Sequence, residues 1–324
     1  MESEKEFSKH DLVYTSCPLC GANEFRTELA SGQLRLVKCN KCGFVYLNPR
    51  LKTPTLMKLY NEGAFSSPDY YAETSEADKR SFEDRLAMIE SFTNKGKILD
   101  AGCSVGSFLE IAKNRGWKVT GFDINRKAIT ECRRKGIDAV CTTLEETNFP
   151  PNYFDAISMN DFIEHVPDPL ATLKGANRLL KNDGILFIST PKINSLLYRI
   201  FRKRWIHLKP WQHLSFFTPI TINKILRKAG FKVVRCFTLG RHRSVKILIN
   251  KSEAYVGKIL RKVLWRIAPK SIRDRTIYFD PGDEMGIIAI KTNQSRQRNR
   301  TDQVGSGGMH RPQKTLKRKP NLKA

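Results

Sequence analysis

Between Lys97 and Thr292 the apolar positions follow two alternating rhythms. KILDAG, WKVTGFD, DAVC, FDAISM and GILFIST are short apolar runs of strand character. Ser107–Arg115, Arg126–Lys135 and Pro169–Leu180 carry helical spacing between them. Strands separated by helices cannot pair as tight hairpins. The pattern therefore predicts an α/β fold, a doubly wound, mainly parallel sheet with helices on both faces. A helix at Thr221–Ala229, stopped by Gly230, leads into FKVVRCFTL, and GIIAIKT (286–292) supplies a last strand. Ahead of this block, residues 51–94 read as a helical connector, around Pro54–Tyr60 and again at Ser81–Phe92, where Phe82, Leu86 and Ile89 recur on one face. Residues 1–50 hold only short β-like pieces, Leu34–Lys38 and Phe44–Leu47. The expected divisions are 1–50, 51–94, 95–292 and a tail, 293–324. The tail is Gln, Ser, Gly, Arg and Lys with almost no apolar side chains, so disorder is expected there. Residues 254–267 (AYVGKILRKVLWRI) are an amphipathic, basic helix. Such a helix either packs its apolar side on the sheet or lies on an anionic membrane, and packing is the expectation.

With 324 residues, 40% of them hydrophobic, the chain can build a core without disulfides. No apolar run approaches the roughly 18 residues of a membrane span. MESEKEFSKHDL has charges where a secretory signal would have its apolar core, so the expected location is cytoplasmic, with peripheral membrane contact left open. The net charge of +25 is unevenly placed. Residues 1–191 hold 25 Lys and Arg against 26 Asp and Glu, whereas 192–324 hold 32 against 6. A neutral front and a basic back suggest a partner bearing phosphates: a small anionic molecule, a nucleic acid or a lipid surface.

Four of the eight cysteines form two C-x2-C pairs, Cys17 with Cys20 and Cys39 with Cys42, separated by 18 residues, with Gly21 and Gly43 directly after the pairs. Two knuckles presenting four thiolates would close a tetrahedral zinc site. Four protein ligands point to a structural rather than a catalytic ion. Two disulfides or a redox pair would use the same residues, but a reducing compartment and the matched spacing disfavour both.

The strand KILDAG runs through Asp100, Gly102, Cys103, Ser104 and Gly106 into a helix, and the next strand ends at Asp123. Glycines let a ligand approach the backbone, and an acid at the second strand tip can accept both hydroxyls of a ribose. A dinucleotide site would prefer G-x-G-x-x-G, and this loop reads G-C-S-V-G. These segments resemble the class I S-adenosylmethionine-dependent methyltransferases, in their small-molecule branch. ILDAGCSVGSFL is similar to their first motif and VTGFDIN to the segment with the ribose-binding acid. FDAISMNDFIEHVPDP, GILFISTP and PWQHLSFFTPITINKILRKAGF continue the likeness over about residues 95–292. The front, with KCGFVYLNPR, resembles zinc-ribbon modules that precede some members. Ser104 departs from the commoner glycine. The resemblance implies a Rossmann-like, seven-stranded sheet and S-adenosyl-L-methionine as methyl donor. Asp100 would orient the loop and the donor's amino-acid end. Gly102 and Gly106 would line its methionine and ribose moieties, Asp123 would grip the ribose, and Asn160 would join the donor-binding set.

Methyl transfer to a hydroxyl needs an in-line nucleophile, excluded water and often a base. His165, in the segment leaving the strand FDAISMN, is the first candidate base, and His213, before the run LSFF, is the second. Asp161, Glu164 and His165 also resemble the acid-x-x-Glu-His pattern of ubiquinone-type O-methyltransferases, which can hold a divalent metal. Trp205, Trp211 and His213 are candidates for acceptor contact. No [Asp/Asn/Ser]-Pro-Pro-[Tyr/Phe] motif is present, which argues against amino groups of nucleic-acid bases. The expected acceptor is small or carrier-linked and anionic, a glycan, sugar nucleotide or lipid-linked intermediate, with oxygen as the methylated atom. An RNA methyltransferase and a donor-binding module without activity are the alternatives.

Overall fold

The computed structural model describes residues 7–31, 33–62, 68–209 and 211–292, so the expected disordered tail lies outside the described residues. Seven strands form the main sheet: β1 (Lys97–Ala101), β2 (Lys118–Asp123), β3 (Asp138–Cys141), β4 (Phe154–Asn160), β5 (Leu180–Pro191), β6 (Phe231–Thr238) and β7 (Glu284–Lys291). Their spatial order is β6-β7-β5-β4-β1-β2-β3. The five strands from β5 to β3 run parallel, and β7 lies antiparallel to both β5 and β6. β1 pairs with β2 on one side and β4 on the other. The chain therefore reverses its direction of winding there, and open α/β sheets place ligands at the carboxyl ends of strands at that point.

The helices are α1 (Thr53–Asn61), α2 (Pro68–Glu90), α3 (Ser107–Asn114), α4 (Arg126–Arg134), α5 (Pro169–Leu179), α6 (Leu196–Phe201), α7 (Pro219–Lys228), α8 (Val245–Ile267) and α9 (Lys270–Arg273). Their ends follow side-chain chemistry. Asn125 caps α4, Asp168 caps α5 ahead of Pro169, and Thr218 and Thr221 form a reciprocal capping box on α7. Two apolar clusters flank the sheet. Leu86 and Ile89 of α2 join Phe108, Leu109, Ile129 and Cys132 on one face. On the other, Leu173 and Ala176 of α5 join Ile222 and Ile225 of α7.

The cysteine-bearing front belongs to that second cluster. Cys17, Leu19, Val37, Phe44 and Tyr46 pack with Phe217, Ile222 and Ile225, and the rings of Phe44 and Phe217 lie 5.3 Å apart. Strands 25–31, 34–39 and 45–47 make an antiparallel sheet whose fourth strand, Ser215–Phe216, comes from beyond the parallel block. The sequence suggests a ribbon built on its own. The structure gives it a shared core and a shared sheet, because the apolar run LSFF supplies the edge strand the ribbon lacks.

The expectation for 254–267 is corrected. α8 kinks at Gly257 (φ 81°, ψ 169°), and its buried side chains, Ile247 and Ile249, both precede the kink. The apolar side of the later half is exposed rather than packed on the sheet.

Candidate functional site

The sequence-predicted donor residues converge at the switch point. Hydrogen bonds from the Gly102 and Cys103 amides to Phe122 O (2.9 and 3.0 Å) tie the loop after β1 to β2. It is a left-handed turn, with φ of 72° at Gly102, 48° at Ser104 and 78° at Gly106. Ser104 therefore occupies a glycine-like conformation, costing roughly 1 kcal/mol, and its N–H donates to Asp123 Oδ2 at 3.0 Å. A Cβ on Gly106 would stand 2.8 Å from Ile137 Cδ1 and 2.9 Å from Cys132 Sγ, so this glycine also permits close packing of α3.

Asp100 ends β1, opposite Ser158 of β4 in register. Ser158 Oγ donates to Asp100 Oδ1 at 2.6 Å, and Asn160 Nδ2 donates to the same oxygen at 3.2 Å. Burial pushes the Asp100 carboxyl up to about 7, although these hydrogen bonds oppose it. Burial likewise raises Asp123, against the backbone N–H groups of Asn125 and Ser104. Asn160 points to the protein, since its Oδ1 accepts from Arg85 Nη1 at 3.0 Å. It positions Asp100.

The site fits the donor implied by the sequence. The buried Asp100 and the half-buried Asp123 stand at adjacent strand tips, and among the described residues neither carboxyl has an ion-pair partner. S-adenosyl-L-methionine brings a sulfonium and an ammonium to such a place. Each Asp123 oxygen accepts one backbone N–H, from Ser104 and from Asn125 (2.9 Å), which leaves lone pairs for hydroxyl donors.

Beyond β4 lies a second constellation. His165 and His213 stand with ring centroids 4.7 Å apart, nearly perpendicular. His165 Nδ1 is 3.0 Å from Gln212 O, and a carbonyl only accepts, so the proton is assigned to Nδ1 and Nε2 is left as the basic nitrogen. The phenolic oxygen of Tyr60 is 2.9 Å from the same Nδ1. Burial holds His165 down at about 4 and His213 well below its ordinary value, whereas burial raises Glu164 to about 8. His165 is therefore a neutral imidazole beside a carboxyl that keeps its proton near neutrality. Ligand atoms of Glu164, His165 and His213 all lie within 4.8 Å of one another and could hold a divalent ion.

Asp161 is not in this trio. It faces Arg241 Nη2 at 2.6 Å and Arg85 Nη1 at 3.7 Å. Burial favours its neutral form, but the two guanidinium groups prevail and hold it well below the usual carboxylate range. The acid-x-x-Glu-His reading loses its first acid to this ion pair, and His213 stands in its place. Trp205 is also reassigned: it is 1% exposed and its indole N–H donates to Asp283 Oδ2 at 3.0 Å. It packs the core and does not face an acceptor. Trp211 lies against Phe7, ring centroids 4.3 Å apart, and packs likewise.

Three further residues at the site have no motif in the sequence. Tyr60 of α1 joins both halves, as Asn125 Nδ2 donates to its backbone oxygen at 3.3 Å while its hydroxyl meets His165. Arg241 bridges Asp161 and Glu284, each at 2.6 Å. Arg85 is 1% exposed. It stands one position before Leu86 on the apolar side of α2, and a charge in that register was the one available signal.

The four paired cysteines come together as expected. Cys17 Sγ and Cys42 Sγ are 3.5 Å apart, as are Cys20 Sγ and Cys39 Sγ, and all four lie within 4.8 Å. Four thiolates around a zinc ion stand about 3.8 Å apart, from Zn–S bonds near 2.3 Å. The close contacts run between the knuckles, and no disulfide joins these cysteines. The set fits a single tetrahedral ion.

Comparison with known proteins agrees with this geometry. The family described as "Methyltransferase domain" matches residues 71–235. A ubiquinone biosynthesis O-methyltransferase of Idiomarina loihiensis is 32% identical over 164 residues, 46% of this chain and 68% of that protein. One from Chromobacterium violaceum is 29% identical over 192 residues, 55% of this chain and 81% of that protein. The crystal structure of Burkholderia thailandensis 1,6-didemethyltoxoflavin-N1-methyltransferase, with bound 1,6-didemethyltoxoflavin and S-adenosylhomocysteine, shares the fold. It covers 83% of this chain and 100% of its own, with a TM-score of 0.50 at 15% identity.

Proposed function

Because the chain belongs to the methyltransferase-domain family and is a class I S-adenosylmethionine-dependent methyltransferase, we propose that it methylates a hydroxyl oxygen of a small or carrier-linked acceptor. The names of its relatives support oxygen and a small molecule. The basic second half of the chain supports an acceptor with a phosphate, such as a sugar nucleotide or a lipid-linked intermediate. One observation carries the reading: a half-buried, neutral His165 with Nδ1 tied to Gln212 O, and so with Nε2 available as a base.

When bound, the donor supplies an electrophilic methyl on a sulfonium. The rest falls to the chain. Asp123 and the left-handed loop would hold the ribose, and Asp100, aligned by Ser158 and Asn160, would offer its carboxyl to the donor's cationic groups. Tyr60 and Gln212 fix the imidazole of His165, so that Nε2 takes the acceptor's hydroxyl proton as the oxygen attacks. With a divalent ion held by Glu164, His165 and His213 instead, Nε2 would be a ligand rather than the base, and the ion would acidify the bound hydroxyl. The cysteine knuckles would hold structural zinc. Their edge strand at Ser215 begins two residues after His213, and Leu214 N–H and Ser215 N–H donate to Glu164 O at 2.8 and 3.1 Å. The ribbon thus steadies both His213 and Glu164.

The test uses labelled donor with cell extract as acceptor source. His165→Ala should lower the rate of transfer about 100-fold or more, in the usual range for a general base, with donor affinity unchanged. A folded His165→Ala protein of ordinary activity would remove His165 from the chemistry.

A further inference from the structure

The second half of α8 has no fully buried side chain. After the kink at Gly257, Val263, Leu260 and Ile267 are 46%, 46% and 69% exposed and Ile259 is 82% exposed; Val256, just before it, is 42% exposed. At 100° per residue the four positions after the kink, Ile259, Leu260, Val263 and Ile267, fall within one stripe, roughly 100° wide. The other side rests on α9, where the Arg273 guanidinium lies 4.5 Å above the Trp265 ring. The stripe is therefore the outward face. An isolated helix of about ten residues is marginal in water, and an uncovered apolar stripe adds a further cost, so this half of α8 is built for a covering partner.

Charge identifies the partner. Residues 254–273 contain six basic side chains and no acidic one. Arg266 and Lys262 border the stripe on one side, with long stems that can lie along an apolar surface while their charges reach headgroups. Two copies meeting through this face would bring like charges together around the contact. A nucleic acid would satisfy the charges and leave Ile259, Val263 and Ile267 in water. An anionic lipid surface satisfies both, taking the apolar stripe at the acyl boundary and the cations at the phosphates. No helix among the described residues is long and apolar enough to cross a membrane, so contact is peripheral.

We propose that the outer face of the second half of α8, from Ile259 to Ile267, docks the enzyme on an anionic membrane surface. The proposal does not depend on the acceptor. It is tested by flotation of the full-length protein with vesicles of neutral phosphatidylcholine, and with vesicles that also contain phosphatidylglycerol, at low and high salt. Wild type should partition onto anionic vesicles at least tenfold more strongly than onto neutral ones. The double variant Ile259→Asp, Val263→Asp should lose binding by a factor of ten or more. Lys262→Glu, Arg266→Glu should lose about fivefold per residue, mainly at low salt. Both variants should keep wild-type melting temperature and donor affinity, since neither position touches the core or the donor loop. The proposal is overturned if Ile259→Asp, Val263→Asp binds vesicles as wild type does, because the basic tail alone would then explain the affinity. Binding to RNA with indifference to vesicles, or a dimer that this variant dissolves, would overturn it equally.

Discussion

Asp123→Ala tests the two tasks assigned to its carboxylate, gripping the donor's ribose and holding the loop after β1. The sequence assigns Asp123 only to the ribose. In the structure it accepts the Ser104 and Asn125 amides at 3.0 and 2.9 Å, so it also holds the donor loop. A hydrogen bond to a charged group contributes about 1.5–3 kcal/mol. Losing the ribose contacts should weaken donor binding by about 10–150-fold, at a factor of ten per 1.4 kcal/mol. Losing the Ser104 bond adds to this, because it removes a contact that holds its left-handed backbone. The global fold should persist, since water can reach the freed amides. Calorimetric titration with S-adenosyl-L-methionine measures the first effect, and amide exchange at residues 102–106 the second, which should quicken. A folded variant with donor affinity within twofold of wild type, and a loop as protected as before, would refute both assignments.

Arg85→Met removes a buried cation that serves Asn160 and Asp161. Asp161 keeps its ion pair with Arg241, so the loss is chiefly the charged hydrogen bond to Asn160, about 1.5–3 kcal/mol; the melting temperature should fall, and an unchanged value would contradict the network. Asp100→Asn isolates one titration. The folded carboxyl is raised to about 7 from an ordinary 3.8, so the folded state holds an extra proton between those values. Wild-type stability relative to the variant should therefore decline as pH rises from about 4 to about 7 and level off above. Paired melting curves that stay parallel across that range would contradict the burial argument. Elemental analysis of reduced protein should find one zinc per chain. Cys42→Ser should lower the melting temperature of the whole protein and the rate of transfer together, because the ribbon shares a core with Phe217 and Ile222; loss of zinc with stability and rate intact would show an independent module.

The parts of the protein visible in its sequence are those fixed by local rules. Strand and helix periods gave the parallel block, and the glycine and acid spacing around Gly102 and Asp123 gave the left-handed loop after β1 and the acid it leans on. The C-x2-C pairs gave the four-thiol cluster. What stayed hidden depends on distant pairing. Nothing in LSFF says that Ser215–Phe216 completes the sheet of residues 25–47, because an edge strand is defined by its neighbour. Tyr60 and His165 meet across 105 positions of sequence. The reading of Asp161 as a ligand failed because Arg241, 80 residues further along, claims it. For α8 the amphipathic period was visible, but the kink that turns its apolar side outward follows from the left-handed backbone at Gly257.

The central claim is that this chain transfers a methyl group to oxygen. Its most direct test incubates the full-length protein with S-adenosyl-L-methionine carrying an isotopically labelled methyl, in the presence of a panel of hydroxylated small molecules, their phosphorylated or lipid-linked forms, and RNA. The account predicts label in an O-methyl ether of a small or carrier-linked acceptor, lost in His165→Ala. Donor binding without consumption, or label found only in RNA or on nitrogen or carbon, would contradict it.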